Sequence, residues 1–286
     1  MQHSKEGKAS FGHIYDRPDP RQYFATLDAL DYAIPAHAQA VFSAMVASRL
    51  ARADGIGLTV LDVCCSYGVN AALLNHDVTL DQLYRRYSSS AVAGLSSEEL
   101  ASADAVFYGE RRLASAVPVV GLDVAANAVA YGQRAGILTA GMSVNLEHAE
   151  PDADLTRQLQ TVGLVTVTGG IGYISGRTFA RILDHCPAGD PPAVAAFALR
   201  WVDYEPIADT LADYGLVTEK LAGVTFPQRS FADDQEQAYV LEQLETMGID
   251  PTGNEAEGSY HAELYISRPA AEVAILPIDK LLEGVV

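Results

Sequence analysis

Residues 59–74 read TVLDVCCSYGVNAALL. Thr59, Val60, Leu61 and Val63 form a short β-branched and apolar run of the kind that makes a buried strand, with one acid, Asp62, near its carboxyl end. Cys64, Cys65, Ser66, Tyr67 and Gly68 follow as a turn of mostly small residues, and Ala71, Ala72, Leu73 and Leu74 continue as a good helix former. A strand that ends in small residues and opens a helix brings backbone N–H groups and the helix N-terminus close to a bound ligand, while the acid accepts hydrogen bonds from its polar groups. Only Gly68 is glycine, so the three-glycine dinucleotide fingerprint is absent.

Downstream the grammar repeats. Residues 117–123, VPVVGLD, are a second apolar strand ending in an acid, and residues 125–135 form a helix closed by Gly136. Asp123 is placed to accept from both ribose hydroxyls of a nucleoside lying across the first strand, because a carboxylate has two acceptor oxygens and a vicinal diol two donors. Residues 141–146 give a third strand and 162–168 a fourth, which runs into Gly169, Gly170, Ile171, Gly172 and Tyr173. Three glycines in four residues after a buried strand imply a sharp bend or a close approach. A fifth strand spans 193–200, a sixth lies within 217–228, and residues 260–267 alternate as a last strand. Helices fill the intervals. Five strand–helix repeats, then a strand, a helix and a final strand, make an α/β plan with a mostly parallel sheet and helices on both faces.

Around this body, residues 51–268, stand three additions. Residues 1–50 form an N-terminal helical arm, punctuated by Asp16, Pro18, Asp19 and Pro20 and broken again at Pro35. It carries His13, Tyr15, Tyr23 and His37, which fold over a site at the sheet edge if the arm does. Residues 75–115 contain more helix than one crossover needs, including Ser96 and Glu99 in capping-box spacing, so they read as an insertion near the mouth of the crevice and a lid candidate. The apolar tail, 269–286, docks on the body or on a second copy in a homodimer, and both readings stay open.

A net charge of −18 argues against nucleic acid or an anionic membrane as partner, since both need clustered Lys and Arg. Residues 232–263 hold nine acids and no Lys or Arg, most simply a solvated face. Three cysteines, Cys64, Cys65 and Cys186, cannot build a disulfide framework and lack zinc-site spacing. No apolar targeting core follows the N-terminal charges, and no run of about 18 apolar residues occurs. A soluble, cytoplasmic protein is expected.

On these residues the chain resembles the class I S-adenosylmethionine-dependent methyltransferases over roughly residues 41–268. The resemblance implies a Rossmann-like sheet of seven strands, the last antiparallel, with the cofactor across the carboxyl ends of the first four. Asp62, Cys64, Ser66 and Gly68 stand where that family has an acid and three alternate glycines holding the methionine part of S-adenosylmethionine. Asp123 stands at its ribose acid, and Asn145, Leu146 and Glu147 stand where the third strand reaches the adenine, with Asn145 replacing the usual acid. Thr168, Gly169 and Gly170 stand at the loop beside the sulfonium. Cys64 and Ser66 in place of glycine imply that the turn avoids positive φ there or that the cofactor sits differently.

Methyl transfer from a sulfonium mostly requires alignment and exclusion of water. A base is needed only where the acceptor holds a proton that must leave first. Tyr173, His13 and His37 are the catalytic candidates, and Tyr15, Tyr23 and His261 the candidates for contacting substrate. The expected reaction is methylation of a small molecule, with oxygen slightly favoured as acceptor. A nicotinamide-dependent oxidoreductase is the second reading, weakened by the missing glycines that a pyrophosphate needs. A cofactor-binding regulator without turnover is the third.

Overall fold

In the computed structural model, which describes residues 12–52, 57–187 and 189–286, the arm comes first, as α1 (Gly12–Tyr15), α2 (Arg21–Asp28) and α3 (Ile34–Arg52). Then follow β1 (Thr59–Val63), α4 (Val69–Asn75), α5 (Leu80–Ser88), α6 (Ser90–Ala93), α7 (Ser97–Gly109), β2 (Val119–Leu122), α8 (Ala126–Arg134) and β3 (Ala140–Met142). The second half runs through α9 (Ala153–Leu159), β4 (Val162–Val167), α10 (Gly176–Leu183), β5 (Ala193–Leu199), α11 (Glu205–Asp213), β6 (Leu216–Lys220) and β7 (Phe226–Ser230). It closes with α12 (Asp234–Thr246), β8 (Ser259–Pro269), α13 (Ala270–Ile275) and α14 (Ile278–Leu281).

The sheet order is β3-β2-β1-β4-β5-β8-β6, with β7 also paired to β8. β1 through β5 are mutually parallel, and β8 runs antiparallel to its neighbours. This is the mostly parallel sheet expected, with one difference: it has eight strands rather than seven. Residues 216–230 hold two strands that follow one another along a single edge of the 11-residue β8. Gly223, at φ 72°, lies in the interruption between them. Every residue of β1 and β5 is buried, as a central parallel strand covered on both faces requires. Two apolar layers result. Val60, Leu164, Ala195 and Phe197 pack toward α3 and α4, and Leu61, Val63, Val165 and Ala196 pack toward α10 and α11.

Chain order reverses between β1 and β4, the switch point at which open α/β sheets bind ligands. The third strand ends earlier than its sequence suggests. After Met142 the Asn145 carboxamide accepts from the Glu147 N–H at 2.9 Å, a local turn that competes with the ladder.

The insertion braces the arm. The Arg21 guanidinium donates to the carbonyls of Val92, Ala93 and Leu95 at 3.0–3.2 Å, the Ser97 hydroxyl to Asp19 at 2.6 Å, and the Tyr84 hydroxyl to the Tyr32 carbonyl at 2.7 Å. Inside it, fully buried Asp104 accepts from Tyr87, Tyr131 and Arg86. The tail docks on the end of α3, where buried Glu272 pairs with Arg49 at 2.6 Å and Arg52 at 3.3 Å. The acid-rich run is not wholly a solvated face either. Glu236 and Glu255, both 0% exposed, are the partners of Arg229 and Arg200. No helix among the described residues is long and apolar enough to cross a membrane.

Candidate functional site

The turns after β1, β2 and β4 open onto a cavity of about 530 Å³. Its floor is Cys64, Cys65, Ser66, Val69 and Asn70, with Asp123, Val124 and Ala125 on one side and Thr168, Gly169 and Gly170 on the other. The arm supplies the roof through Tyr15, Asp16, Tyr23, Leu27, Tyr32 and Pro35, and Tyr173, Gln228 and Arg229 complete the wall.

The β1 turn takes a different course from the one its composition suggests. Cys64 (φ 59°), Ser66 (φ 50°) and Gly68 (φ 82°) all lie in the left-handed region, so the chain keeps positive φ at the two positions where glycine is missing. What holds it there is hydrogen bonding. The Cys64 and Cys65 N–H groups donate to the Leu122 carbonyl, and the Ser66 N–H donates to Asp123 Oδ2 at 2.8 Å. Gly68 has a packing reason as well, because a Cβ on it would stand 3.0–3.2 Å from Ile137 and Leu138. Gly170 is the point of closest approach between the two loops, since a Cβ there would meet Cys64 Sγ at 2.6 Å.

Ser66 carries two costs, a left-handed backbone and a buried hydroxyl without a hydrogen-bond partner. The first costs a non-glycine residue about 1–2 kcal/mol and the second about 1–3 kcal/mol, against about 0.5–1 kcal/mol of extra chain entropy for glycine. Ser66→Gly is therefore expected to stabilise the ligand-free protein by about 1 kcal/mol or more in urea unfolding; a destabilised variant would show that the serine is held by something other than this balance.

Asp123 Oδ2 takes the Ser66 N–H and Oδ1 takes the Ala125 N–H at 2.9 Å. Each oxygen retains acceptor capacity beside the cavity, the pair of acceptors a vicinal diol would fit. Asp62 lies beneath the floor rather than on it. Its Oδ1 accepts from Asn70 Nδ2 and Thr166 Oγ1, both at 2.9 Å, while buried Oδ2 has no partner. Burial pushes its carboxyl up to about 7 against those two bonds, with Asp123 adding to the rise. Asn70 also donates to Thr168 Oγ1 at 3.0 Å, which ties the β1 and β4 loops together.

The third-strand residues do not line the cavity. The Glu147 carboxylate accepts from the Ser175 N–H, the Ser175 hydroxyl and the Thr178 hydroxyl at 2.6–2.9 Å and so holds the start of α10. Burial works to raise its pKa, and those bonds outweigh it and hold the carboxyl below its ordinary range. Asn145 is exposed, and buried Leu146 packs in the layer toward α10.

His37 and His261 also stand outside the cavity wall. His37 sits 5.9 Å from the Phe226 ring, and His261 shares a hydrogen bond with Thr225 at 3.0 Å. Burial lowers both pKa values, aided at His261 by Arg200 and His37. His13 lies in α1, and its side chain falls outside the described residues. The insertion, 75–115, contributes no lining residue. Its role at the site is indirect, because it supports the helices that do.

The arm is pinned where it enters the roof, at residues 14–17. The Tyr67 hydroxyl donates to the Ile14 and Arg17 carbonyls at 3.3 and 3.0 Å, and Asp16 Oδ1 accepts the Asn127 N–H at 2.7 Å, at the start of α8. Tyr15 lines the cavity and is 36% exposed, with protein packed around the rest of the ring. Burial pushes its phenol up to about 12, with Tyr173 and Asp123 raising it further and Arg229 opposing. Sequence reading missed Asp16, Tyr32, Asn70, Gln228 and Arg229. The last two sit on β7, and nothing in their local pattern distinguishes them from any strand residue.

No protein-family model matches this chain, and no curated protein matches its sequence. Its structure is similar to that of magnesium protoporphyrin IX methyltransferase from Synechocystis with bound S-adenosylmethionine, at 12% identity over 94% of this chain and 99% of that one, TM-score 0.39. It is also similar to the plantazolicin methyltransferase BamL in complex with a desmethyl-plantazolicin analogue and S-adenosylhomocysteine, at 10% identity over 86% and 89%, TM-score 0.44. A third is a TehB-like methyltransferase from Corynebacterium glutamicum, at 11% identity over 78% and 87%, TM-score 0.38.

Proposed function

We propose that the chain is a cytoplasmic S-adenosylmethionine-dependent methyltransferase acting on a small molecule. The observation that carries this reading is the pairing of the left-handed turn at Cys64–Gly68 with the Asp123 carboxylate, at the carboxyl ends of β1 and β2 over a cavity of about 530 Å³. That volume lies within the range of about 300–1,000 Å³ usual for small-molecule sites.

In this reading Asp123 holds the ribose hydroxyls, the turn from Cys64 to Gly68 cradles the methionine part with Asp62 buffering it from below, and Thr168, Gly169 and Gly170 face the sulfonium. Gly169 supports that assignment, because a Cβ built on it meets no atom closer than 3.4 Å and the loop is open toward the cavity. When bound, the cofactor supplies an electrophilic methyl group. The protein's part is to hold donor and acceptor in line and keep water out, for which the pinned arm is suited. The arm, through its described residues 12–50, closes the site on the catalytic body that follows, up to residue 268. Glu147, with Asn145 shaping the turn before it, acts on the adenine end by holding the start of α10 at Ser175.

Calorimetric titration with S-adenosylmethionine, S-adenosylhomocysteine and NAD tests the reading, and binding of NAD alone would overturn it. Asp123→Ala is expected to weaken S-adenosylhomocysteine by about 1–3 kcal/mol, the cost of stranding hydrogen-bonding partners. Unchanged affinity would remove the ribose role.

A further inference from the structure

The cavity roof that faces the β4 loop is a run of arm tyrosines, and Tyr173 meets it from that loop. Tyr15 packs edge-on against Tyr23 with 5.7 Å between ring centroids, Tyr23 shares a hydrogen bond with Tyr32, and Tyr173 lies close enough to Tyr15 to perturb its phenol. The Tyr32 hydroxyl and Gln228 Nε2 would stand 3.4 and 3.8 Å from a Cβ on Gly169, so this wall looks across at the loop assigned to the sulfonium.

The rest of the wall has a restricted chemistry. Among the described residues that line the cavity there is no His or Lys. Arg229 is the one cation among them, and Glu236 holds it in a bidentate pair at 2.9 and 2.7 Å. The two carboxylates, Asp16 and Asp123, each accept backbone N–H groups. Burial pushes the Cys64 thiol far up, so it stays protonated like Tyr15. No imidazole or amine among these described lining residues takes a proton from a hydroxyl, Asp123 is committed to two backbone N–H groups, and no uncompensated cation receives an anion.

Resting on the methyltransferase reading, we infer that the tyrosine wall selects an acceptor nitrogen that presents its lone pair without a proton to lose, as an unprotonated tertiary amine or an aromatic ring nitrogen does. The nitrogen lone pair forms the new N–C bond while the S–C bond breaks, its electron pair going to sulfur. Sulfur ends neutral and the positive charge ends on nitrogen, beside aromatic rings whose faces carry negative quadrupole potential. No proton leaves, so no base is required. This turns the preference from oxygen to nitrogen. The charge of −18 draws cations toward the molecule in the same sense.

The test is titration of benzyltrimethylammonium, benzyl alcohol and benzoate into the protein, with and without S-adenosylhomocysteine. Benzyltrimethylammonium is expected to bind about tenfold or more tighter than either of the others. Tyr15→Leu and Tyr173→Leu should each lose about tenfold of that affinity, while Tyr15→Phe and Tyr173→Phe, which keep the ring face, stay within about threefold. Unfolding midpoints of all four variants separate a lost ring from a lost fold. Benzoate or benzyl alcohol binding as tightly, or leucine variants indistinguishable from the parent, would overturn the inference. Failure of S-adenosylhomocysteine to bind would overturn the underlying reading instead, and the ranking measured without it tells the two failures apart.

Discussion

Replacing Glu236 by alanine is expected to lower the unfolding free energy by about 3–5 kcal/mol, the cost of breaking a buried ion pair from one side. Glu236 is 0% and Arg229 5% exposed, and two parallel bonds of 2.7 and 2.9 Å join them. The same carboxylate accepts the Ala232 N–H at 2.8 Å and so shapes the entry to α12. Without it the guanidinium, stacked 4.6 Å from the Tyr260 ring centroid, keeps its charge in a site with little water. Removing both charges together, in Glu236→Leu with Arg229→Met, should cost much less than the alanine variant, because no charge is left buried. Urea unfolding of the single and double variants decides it. A single-variant loss below about 1 kcal/mol would mean that the pair is solvated and worth no more than a surface salt bridge. Because Arg229 lines the cavity, the same variant should also loosen the wall beside Tyr15 and Tyr173.

The second large effect is a pH dependence of stability set by Asp62. Its carboxyl sits at about 7 in the folded protein against an ordinary value of 3.8, for burial outweighs the bonds from Asn70 and Thr166. A raised acid binds its proton more tightly folded than unfolded, so its contribution to stability is present at low pH and is lost as pH rises from about 4 through about 7. Each tenfold change in proton affinity is worth about 1.4 kcal/mol, which caps the contribution at about 4 kcal/mol. Asp62→Asn keeps an oxygen for the two donors, places an uncharged amide where Oδ2 has no partner, and does not ionise. It should be more stable than the parent above pH 7 by about 1–3 kcal/mol and close to it at pH 4–5. Denaturant midpoints measured across pH 4–9 check this, and parallel stability curves for parent and variant would exclude Asp62 as the source.

Much of the fold was legible because the signals that encode it are local. The β-branched run at Thr59 to Val63, the Ser96 and Glu99 cap and the glycine at 136 each state their structure within one turn of chain. Ser96 indeed accepts the Glu99 N–H, and Gly136 adopts φ 71°. The interrupted edge strand was not legible. Residues 216–230 become two strands only because a single long β8 offers one edge to both.

At the site the division runs along the same line. Asp62, Asp123 and the glycines after β4 mark strand ends, and strand ends can be read from pattern alone. The positive φ of Cys64 and Ser66 could not be, since neither residue favours it. It depends on acceptors at Leu122 and Asp123, more than 50 residues away, that reward the strained turn. Nor could the sequence say that Glu236 and Glu255 leave a run of nine acids for the interior, because Arg229 on β7 and Arg200 just past β5 reach them only in the folded chain. Sequence by itself determined where strands end in an acid or a glycine, because burial and turn chemistry act between neighbours. Only the tertiary structure decided which arm, wall and ion pair meet above those ends, because hydrogen bonds and charges carried on different elements find one another only once the sheet has brought them together.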